Sequence, residues 1–365
     1  MTSFVTRGMF SVFIFLIACS SPSKKDNSHA LLYFEDNNHQ KEPVTTKAEW
    51  DKKRTQILEN MQEVMGELPE QTGLPDFDLQ FKDSLREEGC VRYSISFLVA
   101  QDERITAYLY LPRLNQSKAT YPAMLALHET DPLGKGSVDG QGINKNLAYA
   151  KELAQRGYIV IAPDYPSFGE MQNYDFEKDR YKSGTMKGVF DHMRCVDLLQ
   201  AMSNVDPEKI GVIGHSLGGH NALFLGAFDS RLKIVVSSCG WTLFDYYNTG
   251  ERAIERYGHR LGPWAIPRYM PLLREKFGLD STKIPFDFDE VIAAIAPRVF
   301  FSNSPTGDKN FDVNGVKKGI EESMQVYRFL KVPENLQVYY PNAGHDFPPE
   351  IREKAYEAID KVLKN

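Results

Sequence analysis

The sequence predicts an α/β protein with a mostly parallel central sheet that is covered by helices on both faces. From residue 121 to the C-terminus, near-continuous apolar segments of strand length alternate with longer segments of helical character. This alternation is typical of parallel strands joined by helical crossovers and buried on both faces. The chain has 365 residues, of which 42% are hydrophobic and 25% charged, and is therefore long enough for a sizeable core.

The elements follow in order along the chain. In residues 48–65 apolar side chains recur at helical spacing among charges, which predicts an amphipathic helix. Residues 90–99 and 105–111 alternate apolar and polar side chains, which predicts an antiparallel hairpin. The strands predicted after it are 121–128, 158–162, 210–214, 232–237, 298–302 and 336–340, and the helices are 145–156, 184–202, 217–228, 315–330 and 349–363. Residues 241–297 interrupt this rhythm with many aromatics, prolines and charges, and we expect a helical lid insertion above the sheet.

The N-terminus predicts export and a lipid anchor. Residues 1–18 combine Arg7 with an apolar run that is too short to cross a bilayer, which takes about 20 residues, but has the length of a signal peptide. The run ends at Cys19 in Leu-Ile-Ala-Cys, which resembles a bacterial lipobox, whose cysteine becomes the lipidated first residue; an ordinary secretory signal is the alternative. Residues 19–46 are polar and predict a flexible tether, so that residues 47–365 form the folded domain, lipid-anchored in a bacterial cell envelope.

Composition excludes several classes of partner. The net charge is −6 and no basic tract stands out, which argues against nucleic acid. No His, Cys or Asp cluster has the spacing of metal ligands, and we expect neither a metal nor a cofactor. Beyond Cys19 the cysteines are Cys90, Cys195 and Cys239, an odd number that allows at most one disulfide; the last two are interpreted as small buried hydrophobes.

A candidate nucleophile lies between a predicted strand and a predicted helix. Residues 214–219 read Gly-His-Ser-Leu-Gly-Gly, with Ser216 at the centre. In a sharp strand–turn–helix, the serine hydroxyl projects into the cleft above the sheet, and the flanking glycines let strand and helix pass without a clash. The alternative is a simple helix cap, but capping does not require glycine on both sides of the serine.

A serine hydroxyl needs a base that takes its proton and an acid that orients the base. His345 follows the last predicted strand and precedes the final helix, which is the expected place of the base. His259 lies in the charged insertion, and we expect it to be exposed. His215 and His220 are too close to Ser216 in sequence to act as its base, and His215 is expected beneath the turn or at the cleft wall.

The loop after the strand at 298–302 offers two carboxylates as the acid. Asp308 is nearer the strand end, on a turn that contains glycine, and is preferred over Asp312. The oxyanion of the tetrahedral intermediate needs backbone N–H donors, which we expect from Leu217 and from Glu129 or Thr130. Three aromatic residues are predicted as pocket walls, namely Tyr165, Phe168 and Trp241.

Several motifs together carry a family resemblance that covers the chain from Trp50 to its C-terminus. They are Met-Gly-Glu-Leu-Pro at 65–69, Leu-His-Glu-Thr at 127–130 with Gly-Lys at 134–135, Ala-Pro-Asp-Tyr-Pro at 162–166, the serine motif at 214–219, Pro-Phe-Asp-Phe-Asp-Glu at 285–290, Ile-Ala-Pro-Arg at 295–298, Gly-Asp-Lys-Asn-Phe at 307–311 and Gly-His-Asp-Phe-Pro at 344–348. With these motifs the chain resembles the α/β-hydrolase superfamily, and within it the dienelactone-hydrolase-like and acetyl-xylan-esterase-like secreted bacterial serine hydrolases. The resemblance implies Ser216 as nucleophile, Asp308 as orienting acid and His345 as base.

The chain departs from that family at two points. Dienelactone hydrolases proper carry a cysteine nucleophile, so their lactone substrate does not transfer to Ser216. The usual His-Gly oxyanion turn is replaced by His128 and Glu129, which leaves the second donor open.

The activity we expect is hydrolysis of carboxylic esters through an acyl-enzyme, on a small-molecule or oligosaccharide ester such as an acylated carbohydrate. A serine peptidase resembling the prolyl-oligopeptidase hydrolase domain is one alternative, although the segment before residue 90 is too short for the β-propeller of those enzymes. A non-catalytic, lipid-anchored binding protein is another, which the complete and ordered set of three side chains disfavours.

Overall fold

The computed structural model describes residues 1, 31–36, 38–113 and 119–365. The predicted signal peptide at 2–18, the lipidation site Cys19 and the tether up to residue 30 lie outside the described residues.

Among the described residues, nine strands form one sheet in the order β11-β10-β9-β8-β6-β7-β5-β4-β3. The strands from β11 to β7 run parallel, and β5, β4 and β3 extend the sheet in antiparallel fashion. The strands are β1 Tyr33–Glu35, β2 Lys41–Pro43, β3 Gln80–Glu87, β4 Cys90–Ala100, β5 Glu103–Pro112, β6 Tyr121–Leu127, β7 Ile159–Pro163, β8 Val205–His215, β9 Ile234–Ser238, β10 Val299–Asn303 and β11 Leu336–Tyr339.

The helices connect these strands and lie on both faces of the sheet, which confirms the predicted fold class. They are α1 Lys47–Met65, α2 Lys135–Val138, α3 Tyr149–Gln155, α4 Gly184–Ala201, α5 Leu217–Phe228, α6 Glu251–Tyr257, α7 Leu272–Glu275, α8 Phe288–Ile295, α9 Val313–Phe329 and α10 Pro349–Leu363. Alternate residues of each strand face opposite sides. Leu125 and Val212 pack into the core with α1, α4, α5, α8 and α9, whereas Met124 and Ile213 pack with α3 and α10.

Residues 31–36 and 38–46 are structured, so the predicted flexible tether is wrong for this part of the chain. Strands β1 and β2 pair antiparallel. The side chains of Leu31, Phe34 and Val44 are buried in the main core, and the backbone N–H of Glu35 donates to the Gln56 side chain of α1 at 3.1 Å. A few apolar side chains without periodicity hold the segment to the helix, and pattern analysis does not detect such a contact.

The predicted insertion at 241–297 divides into two parts. Residues 241–287 hold only short helices and turns. The helix α8 instead belongs to the main body: it is buried throughout and packs against α1, α5 and α9. The lid prediction is therefore wrong for α8. None of the helices in the described part of the chain has the length and apolar character needed to cross a membrane.

Candidate active site

Ser216 stands in a strained turn between β8 and α5. Its backbone has φ 54° and ψ −117°, a left-handed conformation that costs free energy for any residue other than glycine. The Ser216 N–H donates to the Ser238 carbonyl of the neighbouring strand at 2.8 Å. A Cβ on Gly214 would collide with the Gly218 backbone, and one on Gly218 would collide with the Leu127 carbonyl. The two glycines are therefore required by the close approach of β6, β8 and α5.

The predicted acid and base meet beside this turn. Asp308 follows β10 and His345 follows β11, and these parallel neighbours end at the same edge of the sheet. The two loops are joined by backbone hydrogen bonds, from Thr306 N–H to the Pro341 carbonyl and from Gly307 N–H to the Ala343 carbonyl, both at 2.9 Å. His345 Nδ1 lies 2.9 Å from Asp308 Oδ2 and 3.1 Å from Oδ1.

Asp308 has the surroundings of an ionised orienting group. Burial opposes its ionisation, but the hydrogen bond and charge of His345 and the N–H groups of Asn310 and Phe311 outweigh burial, and the pKa of the carboxyl falls below its usual value. Because this carboxylate accepts the proton on His345 Nδ1, the Nε2 lone pair of the neutral ring remains available as a base. The alternative acid, Asp312, instead caps α9 by accepting from Asn314 N–H at 2.7 Å.

Ser216 and His345 line the same cavity, which has a volume of about 450 Å³. The predicted oxyanion donors Leu217, Glu129 and Thr130 also line it. The structure thus brings together the nucleophile, the base and both candidate donor loops around one space. The catalytic roles of these side chains remain predictions.

The loop that carries Glu129 and Thr130 is held at its start by His128. The buried His128 ring accepts the Tyr165 N–H at Nε2, at 2.9 Å. Its proton therefore lies on Nδ1, which donates to the Glu129 carbonyl at 2.6 Å. Burial lowers the pKa of His128, which keeps the ring neutral and this pair of contacts intact.

The far end of the same loop is held by Asp164, which follows β7. One oxygen of its buried carboxylate accepts the Lys135 N–H at 2.9 Å, and the other accepts the Thr106 hydroxyl at 2.7 Å. The Lys135 ammonium forms a buried ion pair with Asp164 and reaches Glu170 at 2.7 Å. The donor loop is thus fixed at both ends to the segment after β7.

The insertion contributes nine of the 17 residues that line the cavity, and four of the nine are aromatic. The remaining lining residues, including those from the ends of the sheet, are His220, Tyr247, Thr249, Ala253, Tyr257, Pro263, Trp264, Ile266, Arg268, Tyr269, Asn310 and Phe311. No sequence pattern identified these side chains, because the insertion has no periodicity that separates its wall from its outer surface.

The predicted pocket walls Tyr165, Phe168 and Trp241 do not line the cavity, and that prediction is wrong. Tyr165 and Phe168 are buried in a layer behind Leu217 and Tyr269. The Tyr165 hydroxyl donates to the Arg268 carbonyl at 2.7 Å, and so it supports the wall from behind. Trp241 is buried and donates to the Ser302 hydroxyl at 3.0 Å.

The other two histidines near Ser216, His215 and His220, are buried, and their surroundings do not suit a base. His215 is buried with its Nδ1 2.9 Å from the Ser238 hydroxyl, and its ring centroid lies 4.9 Å from that of His345. Burial lowers its pKa to about 3. His220 touches the cavity, but its ring packs between Phe224 and Trp264, and burial lowers its pKa to about 3 as well.

The Glu129 side chain is a functional candidate that the sequence suggested only as a backbone donor. Its half-buried carboxyl lines the cavity with Ser216 and His345. Burial and the charge of Asp131 raise its pKa to about 7. The cavity therefore contains a group whose charge changes near neutral pH.

The chain is similar in sequence and in fold to known hydrolases. A family model described as glucuronyl esterase, fungi, matches residues 166–330. The chain is 26% identical to the protein YtaP of Bacillus subtilis over 82% of this chain and 96% of that protein. It is 24% identical to the 4-O-methyl-glucuronoyl methylesterase 1 of Wolfiporia cocos over 88% and 78%. The fold superposes on a glucuronoyl esterase of Solibacter usitatus with a TM-score of 0.72 at 19% identity, covering 92% and 97%.

The chain is an α/β-hydrolase of the carboxylic ester hydrolase class. The family resemblance and the fold that the sequence predicts are thereby confirmed. The family match spans Ser216 and Asp308 and most of the cavity wall, and ends before His345. The prediction of His345 as the base therefore rests on the sequence and on its contact with Asp308, not on the family match.

We expect Asp164→Asn to lower kcat about 10- to 100-fold with a small change in KM, because it releases the donor loop without touching the substrate, and misplacement of about 1 Å can cost 100-fold. Ester turnover by the purified variant measures the effect. Glu208→Gln, which removes one partner of an exposed pair with Lys233, is the matched control and should behave as wild type. An unchanged kcat in a folded Asp164→Asn protein would contradict the role of this contact.

A second prediction concerns Glu129, which is mostly neutral below about pH 7 and charged above it. Its charge should repel an anionic ester, so Glu129→Gln should raise kcat/KM for an anionic relative to a neutral ester about threefold to tenfold at pH 8. The same ratio should stay near its wild-type value at pH 5.5. The ratio cancels any effect of pH on the chemical step that both substrates share. A ratio unaffected by the substitution at pH 8 would place Glu129 away from the bound substrate.

Proposed function

We propose that this hydrolase cleaves esters formed by the carboxyl group of a uronic acid residue in a carbohydrate, through an acyl-enzyme. The observation that carries the proposal is the coincidence of the Asp308–His345 pair, Ser216 and an aromatic-walled cavity in one place. The similar proteins include a glucuronoyl esterase and a 4-O-methyl-glucuronoyl methylesterase, and these activities suggest the substrate class. It is an ester of carbohydrate, as expected from the sequence, but with the sugar on the acyl side.

The reaction follows from the positions of the side chains. His345 Nε2 takes the proton of the Ser216 hydroxyl while Ser216 Oγ attacks the ester carbonyl carbon. Asp308 holds the ring and stabilises the imidazolium, while the N–H of Leu217 and a donor from the loop at Glu129 and Thr130 bind the oxyanion. His345 then returns the proton to the leaving alcohol, and the acyl group stays on Ser216. Water, activated by the same ring, releases the acid.

The cavity wall supports a sugar substrate. Tyr247, Tyr257, Trp264 and Tyr269 offer flat apolar surfaces together with polar ring atoms. Arg268 adds a cation, which packs 4.5 Å over the Phe168 ring. Mostly apolar surfaces with a few placed polar groups are typical of small-molecule sites.

Ser216→Ala should lower kcat about 10⁴-fold or more on the preferred ester. The test compares release of methanol from a glucuronic acid methyl ester with release of acetate from an acetylated xylo-oligosaccharide, using the purified chain. We expect the methyl ester to be the better substrate. Turnover of the acetylated sugar alone would contradict the proposed substrate class, and survival of activity in Ser216→Ala would contradict the mechanism.

We further propose that the mature hydrolase is anchored by lipid at Cys19 in a bacterial envelope membrane. The support comes from the sequence alone. An apolar run stops at this cysteine, and a polar segment follows it before the structured residues 31–46. Such an anchor would hold the enzyme near an extracellular carbohydrate polymer.

Cys19→Ser should move the protein from the membrane fraction to the soluble fraction and abolish labelling by a fatty acid analogue in bacterial cells. Cys90→Ser, which removes a cysteine in β4, should remain in the membrane fraction and is the control. Retention of Cys19→Ser in the membrane without label would point instead to an uncleaved signal peptide.

A further inference from the structure

Three potential metal ligands converge directly behind the cavity. One ligand atom from each of His215, Cys239 and His345 lies within 4.8 Å of the other two. These residues are far apart in sequence, so no local spacing of metal ligands indicates them.

Cys239 has no part in the ester reaction, yet its placement is unusual. It follows β9 with φ 48°, a left-handed conformation that is strained for a cysteine. Its thiol is buried beside the acid–base pair, with Sγ 3.3 Å from the Asp346 carbonyl. The sulfur atom of Cys239 lies within 4.8 Å of a ring nitrogen of His215 and of His345.

We propose that His215, Cys239 and His345 form a site for a thiophilic divalent metal ion, such as Zn²⁺ or Cd²⁺, and that its occupation switches the hydrolase off. One thiolate and two imidazoles are a ligand set that such ions prefer, and three protein ligands leave one position of a tetrahedron open. With bonds of about 2.3 Å to sulfur and 2.0 Å to nitrogen, tetrahedral ligand atoms lie about 3.5 Å apart. The three ligand atoms lie within 4.8 Å of one another, so side-chain movements of about 1 Å would bring them to the tetrahedral spacing.

The binding step balances in charge and protons. The Cys239 S–H proton leaves to solvent as the sulfur bonds the metal, and each histidine donates a nitrogen lone pair. Burial and the charge of Asp308 raise the pKa of the Cys239 thiol well above its usual value. A dication at the sulfur supplies the positive charge that this thiolate otherwise lacks.

Either mode of binding to His345 stops catalysis. Through Nδ1, the metal replaces the contact with Asp308 and the ring proton moves to Nε2; through Nε2, the metal occupies the lone pair that takes the proton from Ser216. The ion reaches the site from the cavity, because the His345 side chain is 27% exposed there whereas His215 and Cys239 are buried behind it. The inhibition does not depend on which ester the hydrolase prefers.

Binding is measured without turnover in the purified Ser216→Ala chain titrated with Cd²⁺. We expect one ion per chain by calorimetry and an ultraviolet thiolate-to-cadmium charge-transfer band. On the same background, Cys239→Ser should lose the band and bind at least about tenfold more weakly, since even partners beyond the direct ligands contribute that much. Cys195→Ser, which removes a buried cysteine of α4, is the matched control and should keep both signals.

Inhibition is then measured on chains with Ser216 intact. Zn²⁺ should inhibit ester hydrolysis in the wild type and in Cys195→Ser, and a chelator should restore the rate. Cys239→Ser, scaled to its own metal-free rate, should resist the same concentration. Equal inhibition of Cys239→Ser and wild type, or a Cd²⁺ titration without a thiolate band, would overturn the proposal. If Cys239→Ser fails to fold, Cys239→Ala serves in its place, and the band decides even for a variant that lacks activity.

Discussion

The site depends on one constraint, the close packing of β6, β8 and α5 around the turn at Ser216. Only glycine fits at 214 and 218, because any Cβ there would meet backbone atoms of a neighbouring element. The packing holds Ser216 at a positive φ that the residue would not adopt alone. Ser216 thus lies directly between the end of β8 and the start of α5, and both Ser216 and Leu217 line the cavity. The surrounding core offsets the cost of a few kcal/mol that such a conformation carries.

The parallel sheet converts sequence distance into proximity. Because β8, β10 and β11 point the same way, the residues that follow them meet at one edge, and the loops after β10 and β11 are further joined by their own backbone hydrogen bonds. The donor loop after β6 reaches the same edge and is fixed to the segment after β7 by His128 and Asp164. Each group therefore follows a different strand of one sheet, and the hydrogen bonds between the loops hold the groups in place relative to one another.

Much of this arrangement could be predicted from the sequence, because buried parallel strands and their helices have strong periodicity. Ser216 and His345 followed from their places at element ends, and Asp308 was preferred to Asp312 for the same reason. The strand β3 was missed because it is an edge strand, exposed along almost its whole length, and so lacks the apolar alternation that marks a strand. The cavity wall could not be predicted for another reason. A tryptophan looks the same in the sequence whether its side chain is buried in the core, as Trp241 is, or lines the cavity, as Trp264 does. Only the path of the insertion in the fold distinguishes the two.

Chemistry and recognition are thus separated along the chain. The predicted catalytic groups come from the ends of the sheet, whereas nine of the 17 residues that line the cavity come from residues 247–269, with few regular elements to constrain them. Substitution in that segment can change the shape of the cavity without disturbing the turn at Ser216 or the Asp308–His345 pair. Residues behind the pair have less freedom, since His215 and Cys239 are packed against the groups that position the base. The same compactness that orients His345 also brings one thiol sulfur and two imidazole nitrogens within 4.8 Å of one another, and the proposed metal site rests on this arrangement.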